Sequence, residues 1–524
     1  MSVVTYTFIV FLLCTIVLYY IVPKKIQWVI LLLASLVFYG YAGIEYLFLV
    51  IATAVVVYLF SLRLQKSLDE QEELAKDADR RTARKIKAAE KAKRKKFLVW
   101  VLVIVIGVLA VFKAFGFVLD NIKRFIPYDG LQSIPDWNLI APLGISFYSF
   151  MMISYLVDLY NGRISAQKNF FRYLSYVLYF PHVTQGPIAR YEEVGYQLWE
   201  EHSFNMDTIM RGVWLMLWGF VKKIVIADRI GAFTKEIFGH TFDYHGGIFL
   251  AVGIAYSIQI YCDFSGCMDI VRGTSECFGI VLGENFRRPY FSQTLPEFWR
   301  RWHITLGTWM KDYIFYPFSL SKSMAKFGKW SKKKFGNNVG KLLPVGLADI
   351  LVFFVVGVWH GAAWKYIMYG IYNGVIVAGS GMLSPVYAKI QEKLHINPKK
   401  WWYQGFCIIR TFILVNIGFY FDMANDLRAA NAMLVQTVTK AHISQLSMAA
   451  VKAVGLTSQD LLIVIAGCII IFVVSLLKEK GINIRETIAS YNIVIRWIIY
   501  IGFIMFILIY GSTSTTSDFI YANF

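Results

Sequence analysis

One histidine of this chain stands in a position that is costly for a polar side chain. His360 ends the predominantly apolar run Leu342–Trp359 and is followed by Gly361, Ala362 and Ala363. A histidine at the end of such a run needs a polar cavity or a partner, and a neutral imidazole can accept a proton near neutral pH. The small residues that follow would leave room for a substrate beside the ring. We therefore expect His360 to be a general base; the alternative is a histidine bonded to a main-chain carbonyl in a helix bend.

A second histidine, His303, lies in the segment Thr294–Tyr313, which opens with a helix start signal. Thr294 can cap a helix, and Glu297 stands three residues later, in the position of a capping box. The predicted helix places four residues along one face, at spacings of three and four: Arg300, His303, Gly307 and Lys311. This face could belong to an active site. The alternative is an interfacial helix whose basic residues, Arg301 included, contact lipid phosphates.

Two carboxylates flank a flexible Ser-Gly pair further upstream. Asp263 and Asp269 stand on either side of Ser265 and Gly266. On a helix, the second carboxylate would share a face with Arg272 and Glu276. These residues could line a substrate channel or form an internal ion-pair network.

Further polar residues stand beside helix breakers or in basic pairs. His182 lies between Pro181 and Gly186–Pro187, which is compatible with a re-entrant turn near a substrate path or with a plain kink. The pairs Lys222–Lys223 and Arg287–Arg288 could contact phosphates or anchor the chain at a membrane edge. His303 and His360 lack a third ligand nearby, and the six cysteines show no CxxC spacing, so we expect neither a metal site nor a disulfide framework.

The elements that position these residues are predicted to be membrane helices. Of the 524 residues, 57% are hydrophobic and 17% are charged, an apolar excess that calls for lipid as the solvent. The first apolar run lacks the basic start and cleavage site of a signal peptide. Apolar runs predict spans near 7–22, 26–41, 46–62, 97–117, 138–160, 207–226, 246–263, 342–360, 365–382, 402–421, 461–477 and 493–510.

The charged residues between these runs predict an orientation. Residues 63–96 hold 13 Lys and Arg against 7 Asp and Glu, and Ser321–Lys341 holds 7 Lys and no acid. Basic loops are retained in the cytoplasm, so we expect both segments there. The alternation of the spans then places the segment Asp422–Asp460 and both termini outside. The net charge of +19 follows from such loops and from contact with lipid headgroups, and we expect no nucleic-acid partner.

Three segments are too polar for lipid and too apolar for ordinary loops. We expect them to be re-entrant or interfacial helices inside the molecule, because polar groups at membrane depth must be buried in protein or line a wet cavity. They are Phe170–Tyr191, Ser265–Leu282 and Pro296–Phe318. The chain shows no internal repeat, which argues against a transporter built from duplicated halves.

Several motifs occur together in a characteristic order. They are Pro142-Leu-Gly-Ile-Ser-Phe-Tyr148, Phe180-Pro-His182 with Gly186-Pro187, Gly219-Phe-Val-Lys-Lys223, Tyr261-Cys-Asp-Phe-Ser-Gly266, Glu284-Asn285-Phe286 with Pro289-Tyr290, Glu297-Phe-Trp-Arg-Arg-Trp-His303 and Gly357-Val-Trp359-His360-Gly361. In these motifs the chain resembles the membrane-bound O-acyltransferase superfamily and, within it, the alginate O-acetyltransferase-like branch. The resemblance covers about residues 5–425.

The resemblance implies an all-α integral membrane protein, a helical bundle with re-entrant or interfacial helices in which two funnels meet at a histidine. By motif, His360 corresponds to the active-site histidine and His303 to the other recurrent histidine, which we expect nearer the cytoplasm and in donor handling or structure. We expect a single membrane-embedded acyltransferase domain over 1–524, with a charged cytoplasmic hairpin at 63–96, a motif core at 138–425 and C-terminal spans at 461–510. The candidates for the substrate channel are Asp263, Ser265, Asp269, His182, Arg300, Arg301, Trp359 and Asn285.

The resemblance further implies transfer of acyl, chiefly acetyl, groups in a bacterial cell membrane. The donor would be a cytoplasmic acyl thioester such as acetyl-CoA, with no bound cofactor. The acceptor would be an extracytoplasmic polysaccharide or a partner protein, for instance an SGNH-like acyltransferase. The alternatives are D-alanyl transfer to teichoic acid and, more distantly, a transporter or flippase in which the histidines relay protons.

Overall fold

The structure of the protein is a computed structural model that describes residues 1–126, 133–135, 139–440 and 456–511. Regular structure in these ranges is helical, apart from an isolated antiparallel bridge between Phe286 and Trp302. The predicted all-α fold class is therefore confirmed.

The first part of the chain forms long apolar helices and several shorter ones. In chain order they are α1 (Tyr6–Ile21), α2 (Gln27–Gly40), α3 (Ile44–Lys76), α4 (Arg80–Lys113), α5 (Phe115–Phe125), α6 (Ile145–Tyr160), α7 (Phe170–Leu178), α8 (Tyr196–Trp199), α9 (Met206–Phe220), α10 (Asp228–Gly239) and α11 (Gly247–Glu276). A π-helical turn, Val221–Ala227, joins α9 to α10.

The rest of the described chain is also helical. Its helices are α12 (Leu295–Arg301), α13 (Ile304–Met310), α14 (Tyr316–Ser319), α15 (Lys322–His360), α16 (Trp364–Lys393), α17 (Trp401–Met423), α18 (Leu427–Thr439), α19 (Ser458–Glu479), α20 (Ile484–Ala489) and α21 (Ile493–Tyr510). A π-helical turn, Lys311–Phe315, precedes α14. A kink at Gly336, with φ at 76°, divides α15 and leaves Val339–His360 as its apolar part.

The chain divides into two compact units. The first comprises Met1–Met216 and Val271–Gly283, and the second comprises Leu217–Ile270 and Glu284–Phe524. Both histidines singled out above, His303 and His360, belong to the second unit. The single domain expected from the sequence stays a prediction.

Eight of the described helices are long and apolar enough to cross a membrane. They are α3, α4, α11, α15 from Val339, α16, α17, α19 and α21, and α1 and α6 are shorter apolar helices. Large apolar side chains on these helices are exposed, for example Phe48 at 68%, Leu462 at 67% and Ile498 at 64% of their surface. Exposed apolar rows on long helices require a lipid surrounding, because water would penalise them. The protein is a multi-pass membrane protein.

Residues 63–96 comprise the C-terminal part of α3, the connection to α4 and the N-terminal half of α4. The two helices are joined at Asp77–Asp79, and the side chain of Asp79 caps α4 by accepting hydrogen bonds from the N–H groups of Arg81 and Thr82. At 33 residues, α3 is about 50 Å long, so it extends well beyond a hydrocarbon core of ~30 Å. Its charged end and that of α4 form a helical hairpin.

The three polar segments compare differently with their prediction. Residues 265–276 continue α11 without a break, so the prediction of a re-entrant or interfacial helix over Ser265–Leu282 is wrong. The segment Pro296–Phe318 is divided into α12, α13 and a π-helical turn. In the first unit, α7 ends at Leu178, before Pro181, and the chain from 179 to 189 is buried without forming a helix.

Candidate active site

His360 owes its position to a tight pairing of two helices. It is the last residue of α15, and α16 begins four residues later at Trp364. Gly357 and Gly370 face each other, and a Cβ atom on either would collide with the main chain of the opposite helix. The two glycines therefore let the helices approach closely, which fixes the end of α15 that carries the imidazole.

The His360 ring is enclosed by aromatic side chains. Only 3% of the residue is exposed. Its ring centroid lies 5.1 Å from that of Trp359, 5.3 Å from that of Tyr369 and 6.1 Å from that of Tyr366, the last in a stacked arrangement. Such packing restricts the orientation of the imidazole.

A carboxylate lies beside the same ring. Asp422, near the end of α17, places Oδ1 at 3.5 Å from His360 Nδ1, and its Oδ2 accepts a hydrogen bond of 2.8 Å from the Tyr256 hydroxyl. Lys365 Nζ donates to the main-chain oxygens of Asp422 and Ala424, at 3.2 and 2.7 Å. The end of α15, the start of α16 and the end of α17 are therefore gathered at one point.

Asp422 was not among the site residues predicted from the sequence. It stands at the start of the segment that was predicted to lie outside. The sequence nevertheless contains an indication of its role. Asp422 directly follows the apolar run 402–421, just as His360 directly follows the run Leu342–Trp359. An ionisable residue in that position indicates a buried partner or a polar cavity.

His303 lies at a break between two short helices. Thr294 caps α12 as predicted, accepting a hydrogen bond from the N–H of Glu297, but α12 ends at Arg301. Trp302 is extended and His303 has left-handed backbone angles, φ 45° and ψ 54°, before α13 begins. The prediction of one continuous helix face through Arg300 and His303 is therefore wrong.

Asn285 holds this break in place. Its main-chain oxygen accepts from Ile304 N at 3.1 Å, and its Oδ1 accepts from Thr305 N and Oγ1 at 2.9 and 2.7 Å. The same Oδ1 lies 3.3 Å from His303 Nδ1. Asn285, which is 1% exposed, therefore satisfies the interrupted backbone and orients the His303 ring.

The two histidines pack against the same tryptophan. The Trp359 ring centroid is 5.9 Å from that of His303 and 5.1 Å from that of His360. Burial, together with the smaller effect of the neighbouring His360, lowers the pKa of His303 to about 3. A lowered pKa means that the His303 ring is neutral at physiological pH.

Both histidines line a cavity of about 480 Å³ in the second unit. Asp349 and Val356 of α15 also line it, so the cavity follows this helix for about 16 Å from His360. Arg300 and Lys311 contribute two exposed cations. The remaining lining residues are mostly apolar: Pro296, Trp299, Trp302, Ile304, Leu306, Gly307, Thr308, Met310, Phe315, Val352, Phe353 and Val377.

Asp263, Ser265 and Asp269 are not among the residues that line this cavity. Lys222 Nζ lies 2.7 Å from Asp269 and donates to Ser265 Oγ at 3.0 Å. Lys223 Nζ lies 2.5 Å from Asp263 and 2.7 Å from the carboxylate of Asp228. These contacts form an ion-pair network between α11 and the π-helical turn.

The basic pairs predicted to meet phosphates or the membrane edge differ in their surroundings. Lys222 and Lys223 are 4% and 1% exposed, so both interpretations of this pair are wrong. Arg288 pairs with Glu479 of α19, and Arg287 pairs with Glu284 at 2.9 Å.

The remaining predicted residues have separate surroundings. Arg301 Nη2 lies 2.8 Å from Glu297, and its Nη1 lies 3.4 Å from Glu479, so this guanidinium is directed to α19 rather than to the cavity. His182 belongs to the first unit, is fully buried, and its Nε2 lies 3.0 Å from the main-chain oxygen of Tyr176. Within the described residues, no group of three or more His, Cys, Asp or Glu side chains is arranged to hold a metal ion.

The fold and this site define a multi-pass helical membrane protein with two buried histidines at a single cavity. Residues 134–331 match the family model of the membrane-bound O-acyltransferase family, MBOAT. The chain belongs to this family and is an O-acyltransferase.

Curated relatives show the same kinship over most of the chain. A probable alginate O-acetylase, AlgI, of Pseudomonas aeruginosa is 32% identical over 413 residues, which cover 79% of this chain and 70% of the relative. The peptidoglycan O-acetyltransferase of Helicobacter pylori is 28% identical, covering 77% of this chain and 72% of the relative. A teichoic acid D-alanyltransferase of Bacillus subtilis is 29% identical, covering 55% and 69%.

Proposed function

We propose that this protein transfers acyl groups, chiefly acetyl groups, from a cytoplasmic thioester to hydroxyl groups of an extracytoplasmic polysaccharide, directly or through a partner protein. The observation that carries the proposal is the cavity that joins His303 to His360. A hydroxyl and a thioester carbonyl that meet beside one imidazole are the two reactants of such a transfer. Holding them together supplies much of the acceleration, because their encounter becomes intramolecular.

The chemistry that we assign to His360 is proton transfer. The imidazole accepts the proton of the acceptor hydroxyl while the oxygen attacks the thioester carbonyl carbon. The carbon–sulfur bond then breaks, and the proton passes to the departing thiolate. The products are an ester and a thiol, and the histidine is regenerated.

The cavity favours entry of the donor from the side of the basic loops. It extends from His360 along α15 towards Asp349, in the direction of the predicted cytoplasmic segment Ser321–Lys341. Arg300 and Lys311 add positive charge, which suits the phosphates of a donor such as coenzyme A. His360, at the opposite end of α15, would then be reached by an acceptor from outside.

This orientation predicts the labelling of three introduced cysteines by a membrane-impermeant maleimide. Lys87→Cys and Lys333→Cys replace exposed lysines of the two basic segments and should stay unlabelled in intact cells, because basic loops are retained in the cytoplasm. Lys440→Cys, in the predicted external segment, should be labelled. The parent chain gives the background from Cys14, and permeabilised cells give the maximum. Labelling of Lys87→Cys or Lys333→Cys in intact cells would contradict the orientation.

The nature of the acyl group and the acceptor is proposed by similarity. Two of the relatives above are named for O-acetylation, of alginate and of peptidoglycan, and they cover more of this chain than the D-alanyltransferase does. This greater coverage favours acetyl transfer to a cell-surface glycan. An SGNH-like extracytoplasmic acyltransferase is the partner that we expect if transfer proceeds in two steps.

The proposal is tested by analysing surface glycans from cells with and without this gene. Mild base should release acetate from the glycans of expressing cells and none above background from the deletion strain. Release of D-alanine instead would favour the teichoic acid function. Glycans that are identical in the two strains by mass would contradict acyl transfer to a polysaccharide.

A further inference from the structure

The side chain of Asp422 is a buried acid next to the candidate base. It is 1% exposed and stands near the end of α17. One carboxylate oxygen accepts the hydrogen bond from Tyr256, and the other lies 3.5 Å from Nδ1 of His360. The burial of a carboxylate is costly unless a specific contact compensates for it.

The nearby lysine, Lys365, makes its hydrogen bonds to the main chain rather than to the carboxylate oxygens. Lys365 is close enough to act on the charge of this carboxylate, but its Nζ donates its hydrogen bonds to the main-chain oxygens of Asp422 and Ala424 and so ties the helix ends together. The Asp422 side chain is therefore directed to a hydroxyl on one side and to an imidazole on the other.

A carboxylate beside Nδ1 selects one tautomer of the neutral His360 imidazole. A neutral imidazole carries its proton on one nitrogen, and the hydrogen bond made by that nitrogen decides which one it is. A proton on Nδ1, shared with Asp422, leaves the lone pair of Nε2 for the acceptor hydroxyl. A distance of 3.5 Å is long for a hydrogen bond, but such contacts tighten when the substrate is bound.

We infer that Asp422 is a positioning residue for His360, and that Tyr256 holds its carboxylate in place. The carboxylate fixes the ring with Nε2 as the proton acceptor, and it stabilises the imidazolium that forms while the hydroxyl proton is held. This inference rests on the proposed function, because it assigns a task only to an imidazole that accepts protons.

Other titratable groups surround the ring. His303 packs against Trp359, as His360 does, while Tyr366 and Tyr369 of α16 pack against the imidazole with their rings. Lys365 engages main-chain oxygens, as described above. Asp422 contributes an acidic side chain within 4 Å of the His360 ring.

The test measures the initial rate of base-labile acetate incorporation into surface glycans, per amount of folded enzyme in the membrane. Asp422→Asn keeps the size of the side chain but removes its charge and can donate to Nδ1, which favours the wrong tautomer. We expect a loss of up to roughly 10⁴-fold, which is the loss that the same change causes at the carboxylate that orients the histidine of a serine-protease triad. Asp422→Glu restores a carboxylate and should recover part of that loss, while Tyr256→Phe should cause a smaller loss.

The matched control is Asp426→Asn, four residues along the chain. Asp426 is exposed and caps α18 through a hydrogen bond of 2.7 Å from Ala429 N, a task that asparagine performs equally well. This variant should keep the rate of the wild type. Size-exclusion chromatography in detergent gives the amount of folded protein for every variant.

The outcomes separate the inference from the proposed function. Asp422→Asn at the rate of the wild type would overturn the inference, as would losses in the Asn and Glu variants that merely follow the amount of folded protein. If wild-type cells carry no base-labile acyl group, the proposed function fails and the inference falls with it. A large loss in Asp422→Asn at normal folding, with partial recovery in Asp422→Glu, supports it.

Discussion

Replacement of His360 by glutamine is expected to abolish glycan acylation while the protein still folds. Glutamine has a similar size and can form hydrogen bonds, but it cannot accept a proton, so the hydroxyl is no longer activated. The loss of a general base is worth roughly 10²–10⁴-fold in rate. His360→Ala should be equally inactive, because it removes the same group. The measurement is base-released acetate from surface glycans, normalised to folded protein in the membrane.

The control for this substitution is His240→Gln. His240 follows the end of α10, and its side chain is 58% exposed, so its replacement should leave the rate unchanged. Substantial acylation by the His360→Gln variant would mean that the ring only donates or accepts a structural hydrogen bond. The proton acceptor would then be another group at the cavity, with His303 the next to examine.

Replacement of Lys223 by methionine is expected to prevent the accumulation of folded protein. Its Nζ lies between Asp263 and Asp228, whose side chains are 2% and 4% exposed. Removing one partner of a buried ion pair costs about 3–5 kcal/mol, because the remaining charge is left without compensation. Here two carboxylates lose the same cation. The measurement is the yield and thermal midpoint of the detergent-solubilised protein.

Two further variants separate charge from packing at this position. Lys235→Met removes an exposed lysine of α10 and should not change the yield. Lys223→Met combined with Asp228→Asn and Asp263→Asn removes the uncompensated charges and should recover part of the stability. If the single Lys223→Met variant is as stable as the wild type, the network does not stabilise the fold.

Much of the helical framework could be predicted from the sequence because the length and hydropathy of the apolar runs determine it. Apolar runs of about 20 residues that end in charged loops have few alternatives to a helix in lipid. The predicted runs at 402–421 and 493–510 coincide with α17 and α21 within two residues. The same reasoning identified His360 as a residue that needs a polar environment.

The break at His303 could not be predicted from local sequence. The residues from Thr294 to Lys311 have the spacing of a continuous helix, and the contacts that interrupt it come from Asn285. Lys223 illustrates the same limit, since its partners include Asp263, forty residues away. Pairings between distant residues depend on which helices meet, and hydropathy does not contain that information.

The left-handed backbone at residue 303 affects how variants at this position should be interpreted. Glycine adopts a φ of 45° freely, and histidine and asparagine tolerate it better than most residues, whereas alanine is strained there by roughly 1–2 kcal/mol. His303→Ala therefore removes the imidazole and leaves a strained backbone at residue 303, while His303→Gly removes the imidazole and relieves the backbone strain. The difference between these two variants measures how main-chain strain at residue 303 affects the protein when no imidazole is present. A mutational scan limited to alanine would attribute any effect of that strain to the chemistry of the ring.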